Sequence, residues 1–262
     1  MMATTSIYEA LPFLERDWEA MAQTRATEYA RIKDWYYRRL RHVSGPICEL
    51  GCGYGRLIDD LARSGIEVHG TDAAEPRVNA AREHFAKLGI QNAVFHHCKM
   101  PSVPEGIRFD AVLLATNAIG YVQSDREKNT LLNNIHGMLK EDGLLLMDHG
   151  RGVSILKLLR YWPGLRGKAC THQSTIRSSL HWSRKQGAIR ESFLLQGPHD
   201  KRQLFTDLFR FDKARKTLDR LRSAGFAIEE TCGSFAGSPF RPWSRMIAIV
   251  ARKEKRDDAC HH

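Results

Sequence analysis

The chain has 262 residues, of which 42% are hydrophobic and 27% charged, with a formal net charge of +10. That length supports one large domain or a domain carrying an inserted cap, and the composition is that of a globular protein, not of a disordered or fibrous one. No apolar run approaches the roughly 20 residues of a membrane span, and six scattered cysteines with no C-x-x-C pair argue against a zinc site and for reduced thiols.

The first residues lack the basic-then-apolar layout of a signal peptide, so a cytoplasmic location is expected. Residues 8–42 have helical spacing, through Leu11, Leu14, Trp18, Met21, Tyr29, Ile32, Trp35, Tyr36 and Leu40. The aromatic content leaves two readings open: a lid over a ligand cleft spanning 1–44, or a helix packed on the core. Ser44, Gly45 and Pro46 break the pattern, and the apolar run Ile47, Cys48, Leu50 begins a strand.

That strand runs into glycines at 51, 53 and 55, and Leu57, Ile58, Leu61 and Ala62 then fit a helix over 55–64. Strand, glycine loop and helix bring a loop backbone close to a ligand. Arg56 stands where the dinucleotide fingerprint G-x-G-x-x-G needs its last glycine, and no Gly-Lys-Ser/Thr follows, so neither a nicotinamide loop nor a P-loop fits. A second strand, 66–71, ends at Asp72, an acid placed where such folds accept bonds from ribose hydroxyls. Glu75 and Pro76 open a helix through Val78, Ala81, Phe85 and Leu88, closed by Gly89. Residues 92–97 form a third strand, a proline-containing loop follows, and 109–115 form a fourth. A helix over 123–140 leads through Glu141, Asp142 and Gly143 to a fifth strand at 144–147. Alternating strands and helices with short loops predict a parallel sheet covered on both faces, with the ligand along the edge formed by the strand C-termini.

Residues 151–163 are a basic amphipathic stretch ending at Pro163 and Gly164. From 170 to 210 the pattern has period two, predicting three antiparallel strands with a hairpin turn at Lys185, Gln186 and Gly187. Asp212 is placed to N-cap a helix through Ala214, Leu218 and Leu221 that ends at Ala224 and Gly225, and 226–231 and 246–251 close the chain as two strands. The polar end, 253–262, is expected to be a flexible tail. Arg151, Lys157, Arg160, Arg166, Lys168, Arg177, Arg184, Lys185 and Arg190 fall in a stretch without an acidic residue, so nearly all of the net charge sits in 151–190. Such a segment attracts an anionic substrate, an acidic protein or nucleic acid, or is a solvated hairpin face.

Taken together, Glu49-x-Gly51-x-Gly53-x-Gly55, Asp72, the Phe109-Asp110-Ala111-Val112 strand and the Leu139-Lys140-Glu141-Asp142-Gly143 turn resemble the class I S-adenosylmethionine (SAM) methyltransferases over 45–150 and 212–252. The resemblance implies an α/β fold: a seven-stranded, mostly parallel, doubly wound sheet with its last strand antiparallel, an N-terminal helical lid and an antiparallel β cap over 151–211. It implies SAM as cofactor, held by Glu49, Gly51, Cys52 and Gly53 at the methionine end, with Tyr54 and Arg56 as candidates for its carboxylate. Asp72 is implied for the ribose, Ala73 for the adenine edge, and Asn117 lies near cofactor and substrate. One position departs from the family pattern. Lys99 stands where an acid usually bonds the adenine amino group, and an ammonium cannot accept a hydrogen bond. The adenine is therefore expected on backbone groups around Lys99 and Met100, or on stacking.

Tyr121, His149 and Asn117 are the candidate catalytic residues, with Asp148, His172 and His181 as further candidates for a base. Three readings remain open: methyl transfer to N or O of a small polar or anionic metabolite; an intramolecular displacement or elimination on SAM itself, releasing methylthioadenosine; and a non-catalytic role or RNA modification. The last lacks the N/D-P-P-Y/F motif after the fourth strand, where ATNAIGY stands instead. A small-molecule substrate, no membrane, no nucleic acid, and a monomer or homodimer are expected.

Overall fold

The computed structural model describes residues 26–150, 165–170, 175–183, 188–196, 202–210 and 212–254. In chain order the elements are α1 (Ala26–Leu40), β1 (Ile47–Leu50), α2 (Asp59–Arg63), β2 (Val68–Asp72), α3 (Glu75–Lys87), β3 (Ala93–His97) and β4 (Phe109–Leu114). A 3₁₀ turn, Ala118–Tyr121, leads to α4 (Asp125–Met138) and β5 (Leu139–Gly150). There follow β6 (Leu165–Cys170), β7 (Thr175–Ser183), β8 (Ala188–Gln196), β9 (Arg202–Phe209), α5 (Ala214–Ser223), β10 (Phe226–Cys232) and β11 (Met246–Lys253).

One sheet has the order β10-β11-β5-β4-β1-β2-β3. Strands β1, β2, β3, β4 and β5 pair in parallel, and β11 runs antiparallel to both of its neighbours. This is the expected doubly wound sheet with its last strand reversed. Alternation along β1 sends Ile47 and Glu49 to one face and Cys48 and Leu50 to the other. The first face meets α1, α2 and α3 through Trp35, Tyr36, Leu57, Leu61, Val78 and Phe85. The second meets α4 and α5 through Leu131, Leu132, Ile135, Ala214 and Leu221. β4 is buried along almost its whole length, as a central parallel strand must be. The order reverses between β1 and β4, so the crevice expected of such folds opens at the C-terminal ends of β1, β4 and β2.

Helix α1 packs on the core. Trp35 and Tyr36 are fully buried, and two aromatic side chains of this size represent roughly 4–6 kcal/mol each in area removed from water, an upper bound. Its outer end is tied by Arg39, which pairs with Glu230 on β10 and lies over the Trp35 ring. Residues 1–25, which carry the rest of the expected helix and lid, lie outside the described residues.

Several expectations need correction. The helix after the glycine loop begins at Asp59, because Gly53 and Gly55 have φ of +55° and +76° and the chain turns through 51–58 before it can become helical. β5 extends from Leu139 to Gly150 in place of 144–147; its register against β4 jumps between Phe109 and Ala111, and Asp142 has a left-handed φ of 61°. Asp212 does not cap α5. Lys213 is the N-cap residue and makes no side-chain cap bond, while Asp212 is drawn to the buried ammonium of Lys128 at 3.2 Å. The antiparallel region has four strands, in the order β6-β7-β8-β9, where three were expected. Its register sets Lys168 opposite Arg177 and His181 opposite Arg190, so Arg166, Lys168, Arg177, His181 and Arg190 ride on sheet strands. The stretch 151–164, the turn at 185–187, His172 and the tail from 255 onward lie outside the described residues.

The second sheet is joined to the first where β9 ends. The Arg210 N–H donates to Gly120 O at 2.8 Å, Gln123 Nε2 donates to Leu208 O at 2.7 Å, and Lys128 Nζ donates to Arg210 O at 2.9 Å. No helix among the described residues is long and apolar enough to cross a membrane.

Candidate functional site

The glycine loop begins where β1 ends. The N–H groups of Gly51 and Cys52 both donate to Thr71 O at 2.8 Å, the N–H of Gly53 donates to Asp72 Oδ2 at 2.9 Å, and that of Gly55 donates to Cys52 O. These donors are turned inward and hold the loop against the tip of β2. Gly55 is required twice over. Its φ of +76° is left-handed, and a Cβ there would stand 2.9 Å from Phe85 and 3.0 Å from Phe95. Gly70 on β2 has the same packing role, since a Cβ would meet Cys52 Sγ and Phe95 at 2.7 Å.

Asp72 is buried at the end of β2. Besides the Gly53 bond it accepts from the Ala74 N–H at 2.9 Å, so one carboxylate fastens the glycine loop to the start of α3. A carboxylate has about four acceptor positions, so capacity remains for the hydroxyls of a ribose. Ala73 beside it is exposed, and its carbonyl accepts from His97.

Glu49 is the chemically telling residue. It is 5% exposed, and its Oε2 has no hydrogen-bond partner among the described residues. Burial pushes its carboxyl well above the usual carboxylate range, the nearby Asp72 charge adds to this, and Arg56 and Lys33 oppose it. A buried, unpartnered carboxylate oxygen is costly unless a cation arrives to meet it. Arg56 lies over the Tyr29 ring at 4.9 Å, and the Tyr29 hydroxyl is pushed to a higher pKa by burial and then by Glu49. Lys33 pairs with Asp59 at 2.6 Å, and the Tyr37 hydroxyl donates to Leu57 O at 2.6 Å. Helix α1 therefore covers the Glu49 end of the crevice.

At the other end, Met100 and Ala118 converge on Gly51. A Cβ built on that glycine would lie 3.4 Å from Ala118 Cβ and 3.8 Å from Met100 Cε. The ring of Tyr54 lies under the Arg77 guanidinium at 5.7 Å. Lys99 is exposed, its carbonyl accepts from Ser102, and its charge acts on Glu127. The residues fit a ligand with an ammonium near Glu49 and a diol near Asp72. Among the described residues, no group of three or more His, Cys, Asp or Glu side chains is arranged to hold a metal ion.

The three candidate catalytic residues each have their own partners. Asn117 lies just past β4 with a left-handed φ of 64°; its N–H donates to Asp148 at 3.2 Å, and its Oδ1 accepts from the Gly150 N–H. Tyr121 packs on Phe209 of β9, ring centroids 4.4 Å apart, at the junction with the second sheet. His149 is buried on the opposite face of the sheet. Its Nδ1 lies 2.9 Å from Gly150 O and its Nε2 2.9 Å from Thr217 Oγ1, an arrangement that assigns the proton to Nδ1 and makes Nε2 an acceptor from the threonine hydroxyl. With both nitrogens committed to the wall between β5 and α5, His149 is not a base for the crevice. Asp148 is committed as well: Oδ1 accepts from Tyr36 Oη at 2.7 Å and from the Thr116 N–H at 2.7 Å. His181 is exposed on β7. Strand alternation carried the signal for these outcomes, because residues 148 and 149 must face opposite ways. The parts of the site that sequence reasoning did not assign are Tyr29, Tyr36 and Ala118. The two tyrosines stand seven residues apart on one helix face, and a buried tyrosine hydroxyl needs a partner.

Residues 47–143 match the family described as a methyltransferase domain. The order of the chain's seven-stranded sheet, with the last strand reversed, is a Rossmann-like α/β fold shared with solved methyltransferase structures. The chain is similar to the SAM-dependent methyltransferase of Clostridium acetobutylicum ATCC 824, with a TM-score of 0.77 at 13% identity over 91% of this chain and 98% of that one. It is also similar to the SAM-bound amino pentose methyltransferase of Micromonospora echinaspora, with a TM-score of 0.65 at 18% identity over 90% and 96%. Among curated proteins, the ubiquinone biosynthesis O-methyltransferase of Dinoroseobacter shibae is 33% identical over 100 residues, 38% of this chain and 39% of that protein. The chain thus spans half or less of the length of the curated relatives it matches. The solved structures share the fold, and the family match covers residues 47–143.

Proposed function

We propose that the protein transfers the methyl group of SAM to an oxygen or nitrogen of a small polar molecule. The observation that carries this reading is the buried, unpartnered Oε2 of Glu49 beside the glycine loop, with Asp72 at the next strand tip. Glu49 holds the ammonium of the cofactor's amino acid part, Asp72 the ribose hydroxyls, and Met100 and Ala118 flank the crevice opposite Gly51. Bound SAM supplies a methyl group already activated as a sulfonium, so the protein's own task is to align the acceptor in line and to exclude water. Helix α1 closes the Glu49 end with Tyr29 and Arg56. Asn117 and Tyr121 border the acceptor side, and no described side chain is required as a covalent intermediate.

The small-molecule reading is supported by relatives named for ubiquinone biosynthesis and for an amino pentose. The basic strands of the second sheet favour a polar or anionic acceptor by raising its local concentration. The test is to incubate the protein with SAM and a panel of small phenols, carboxylated phenols and amino sugars, and to analyse products by mass spectrometry. S-adenosylhomocysteine with a methylated acceptor supports the reading. Methylthioadenosine formed without any methylated product overturns it in favour of a reaction on SAM itself.

A further inference from the structure

Two consecutive residues after β4, Thr116 and Asn117, have left-handed φ values of 52° and 64°. For a β-branched threonine this is a rare conformation, and it persists only where the surroundings over-determine it. The surroundings here are one carboxylate. Asp148 accepts the Thr116 N–H at 2.7 Å on Oδ1 and the Asn117 N–H at 3.2 Å on Oδ2, so the two successive amides form a small anion-binding nest around it. Asp148 is itself 3% exposed, and its only side-chain donor among the described residues is the Tyr36 hydroxyl at 2.7 Å.

The turn held in this way sets two walls of the crevice. Asn117 Oδ1 receives the Gly150 N–H and fixes the end of β5. Ala118, next in the chain, places its Cβ against Gly51 of the glycine loop. Helix α1, 112 residues from Asp148 in sequence, thus reaches the centre of the site through one hydroxyl. The same helix has a second anchor outside the site, the Arg39–Glu230 pair at the edge of the sheet. Burial favours the protonated form of Asp148, and the Tyr36 hydrogen bond opposes this. Without that donor the carboxyl moves toward its neutral form and becomes a poorer acceptor for both amides.

We propose that Tyr36 is a positioning residue of the cofactor site: acting through Asp148, it holds the left-handed Thr116–Asn117 turn that sets Asn117 on the end of β5 and Ala118 against the glycine loop. The inference rests on the SAM reading only for its ligand arm. The experiment compares Tyr36→Phe with Arg39→Gln, two variants of one helix, the first losing the tie to Asp148 and the second the ties to β10. Hydrogen exchange followed by mass spectrometry reads the amides of Thr116 and Asn117 in the free protein. Calorimetry reads the affinity for S-adenosylhomocysteine, and thermal unfolding reads stability.

Tyr36→Phe is expected to speed exchange at the two amides at least tenfold and to weaken S-adenosylhomocysteine at least tenfold. Arg39→Gln is expected to leave both within about twofold, even where it lowers the melting temperature as much. If the two variants change exchange equally, or neither changes it, Tyr36 only supports the helix and the proposal is overturned. If the wild-type protein does not bind S-adenosylhomocysteine, the SAM reading fails, and the exchange comparison still decides the positioning role. Should Tyr36→Phe not fold, Asp148→Asn replaces it: the amide keeps the volume but loses the charge, and the same selective acceleration at Thr116 and Asn117 is expected, with unchanged exchange counting against the proposal.

Discussion

Replacing Asp72 with alanine removes the carboxylate that ties the glycine loop to the start of α3. Two buried N–H groups, those of Gly53 and Ala74, each lose an acceptor at 2.9 Å. An unsatisfied buried donor costs about 1–3 kcal/mol, so the pair gives roughly 2–6 kcal/mol. Part of this is offset, because the Asp72 charge is one of the causes that raise the Glu49 pKa, and its removal relieves that carboxylate. Taking the low end and about 2–4 °C per kcal/mol for a domain of this size, the melting temperature falls by at least 4 °C or so. Asp72→Asn retains one acceptor oxygen and loses about half as much. The assay is thermal unfolding by circular dichroism, run beside calorimetry with SAM, because the same change removes the acceptors proposed for the ribose. A melting temperature within 1 °C of wild type for Asp72→Ala would refute the account of how this loop is held.

Gly55→Ala meets both a left-handed φ and the rings of Phe85 and Phe95, so it is expected to destabilise the fold by about 2–4 kcal/mol; a variant as stable as wild type in a urea titration would contradict the packing argument. The Arg39 hydrogen bond holds the Glu230 carboxyl below its usual value of 4.5. A depressed folded-state pKa contributes stability that is present above pH 4.5 and is lost as the pH falls through the folded value. Glu230 is 41% exposed on its side chain, so the contribution is screened to under about 1 kcal/mol. Arg39→Gln should abolish that part of the acid dependence, which urea midpoints measured between pH 6 and pH 3 will show. Glu49 has the opposite shift, so binding of a cationic ligand at its carboxylate should release protons at pH values below its raised pKa; calorimetry in buffers of different ionisation enthalpy should reveal it, and Glu49→Gln should remove it.

The sheet and the glycine loop with its neighbouring strand tip were legible because they depend on local pattern. Ile47–Leu50 ends at glycines, Asp72 closes the next strand, and Glu75 to Lys87 reads as a helix with its proline in the first turn. What failed depended on distant partners. Asp212 has the composition of a cap, but the buried ammonium of Lys128, 84 residues away in sequence, takes it. Leu165–Cys170 has too little alternation to declare a strand, and it becomes one because Thr175–Ser183 offers a ladder. His149 and Asp148 look equally available as bases until the pleat sends one to Thr217 and the other to Tyr36. Tyr36 itself could be read as lid or as core; it is core by burial and reaches the site by its hydroxyl.

The most direct test of the central claim is calorimetric titration of the protein with SAM. One saturable site per chain, abolished or weakened at least tenfold by Glu49→Ala, is the result expected of a crevice whose buried carboxylate oxygen waits for an ammonium. Absence of binding up to millimolar SAM, or binding that Glu49→Ala leaves unchanged, would contradict it.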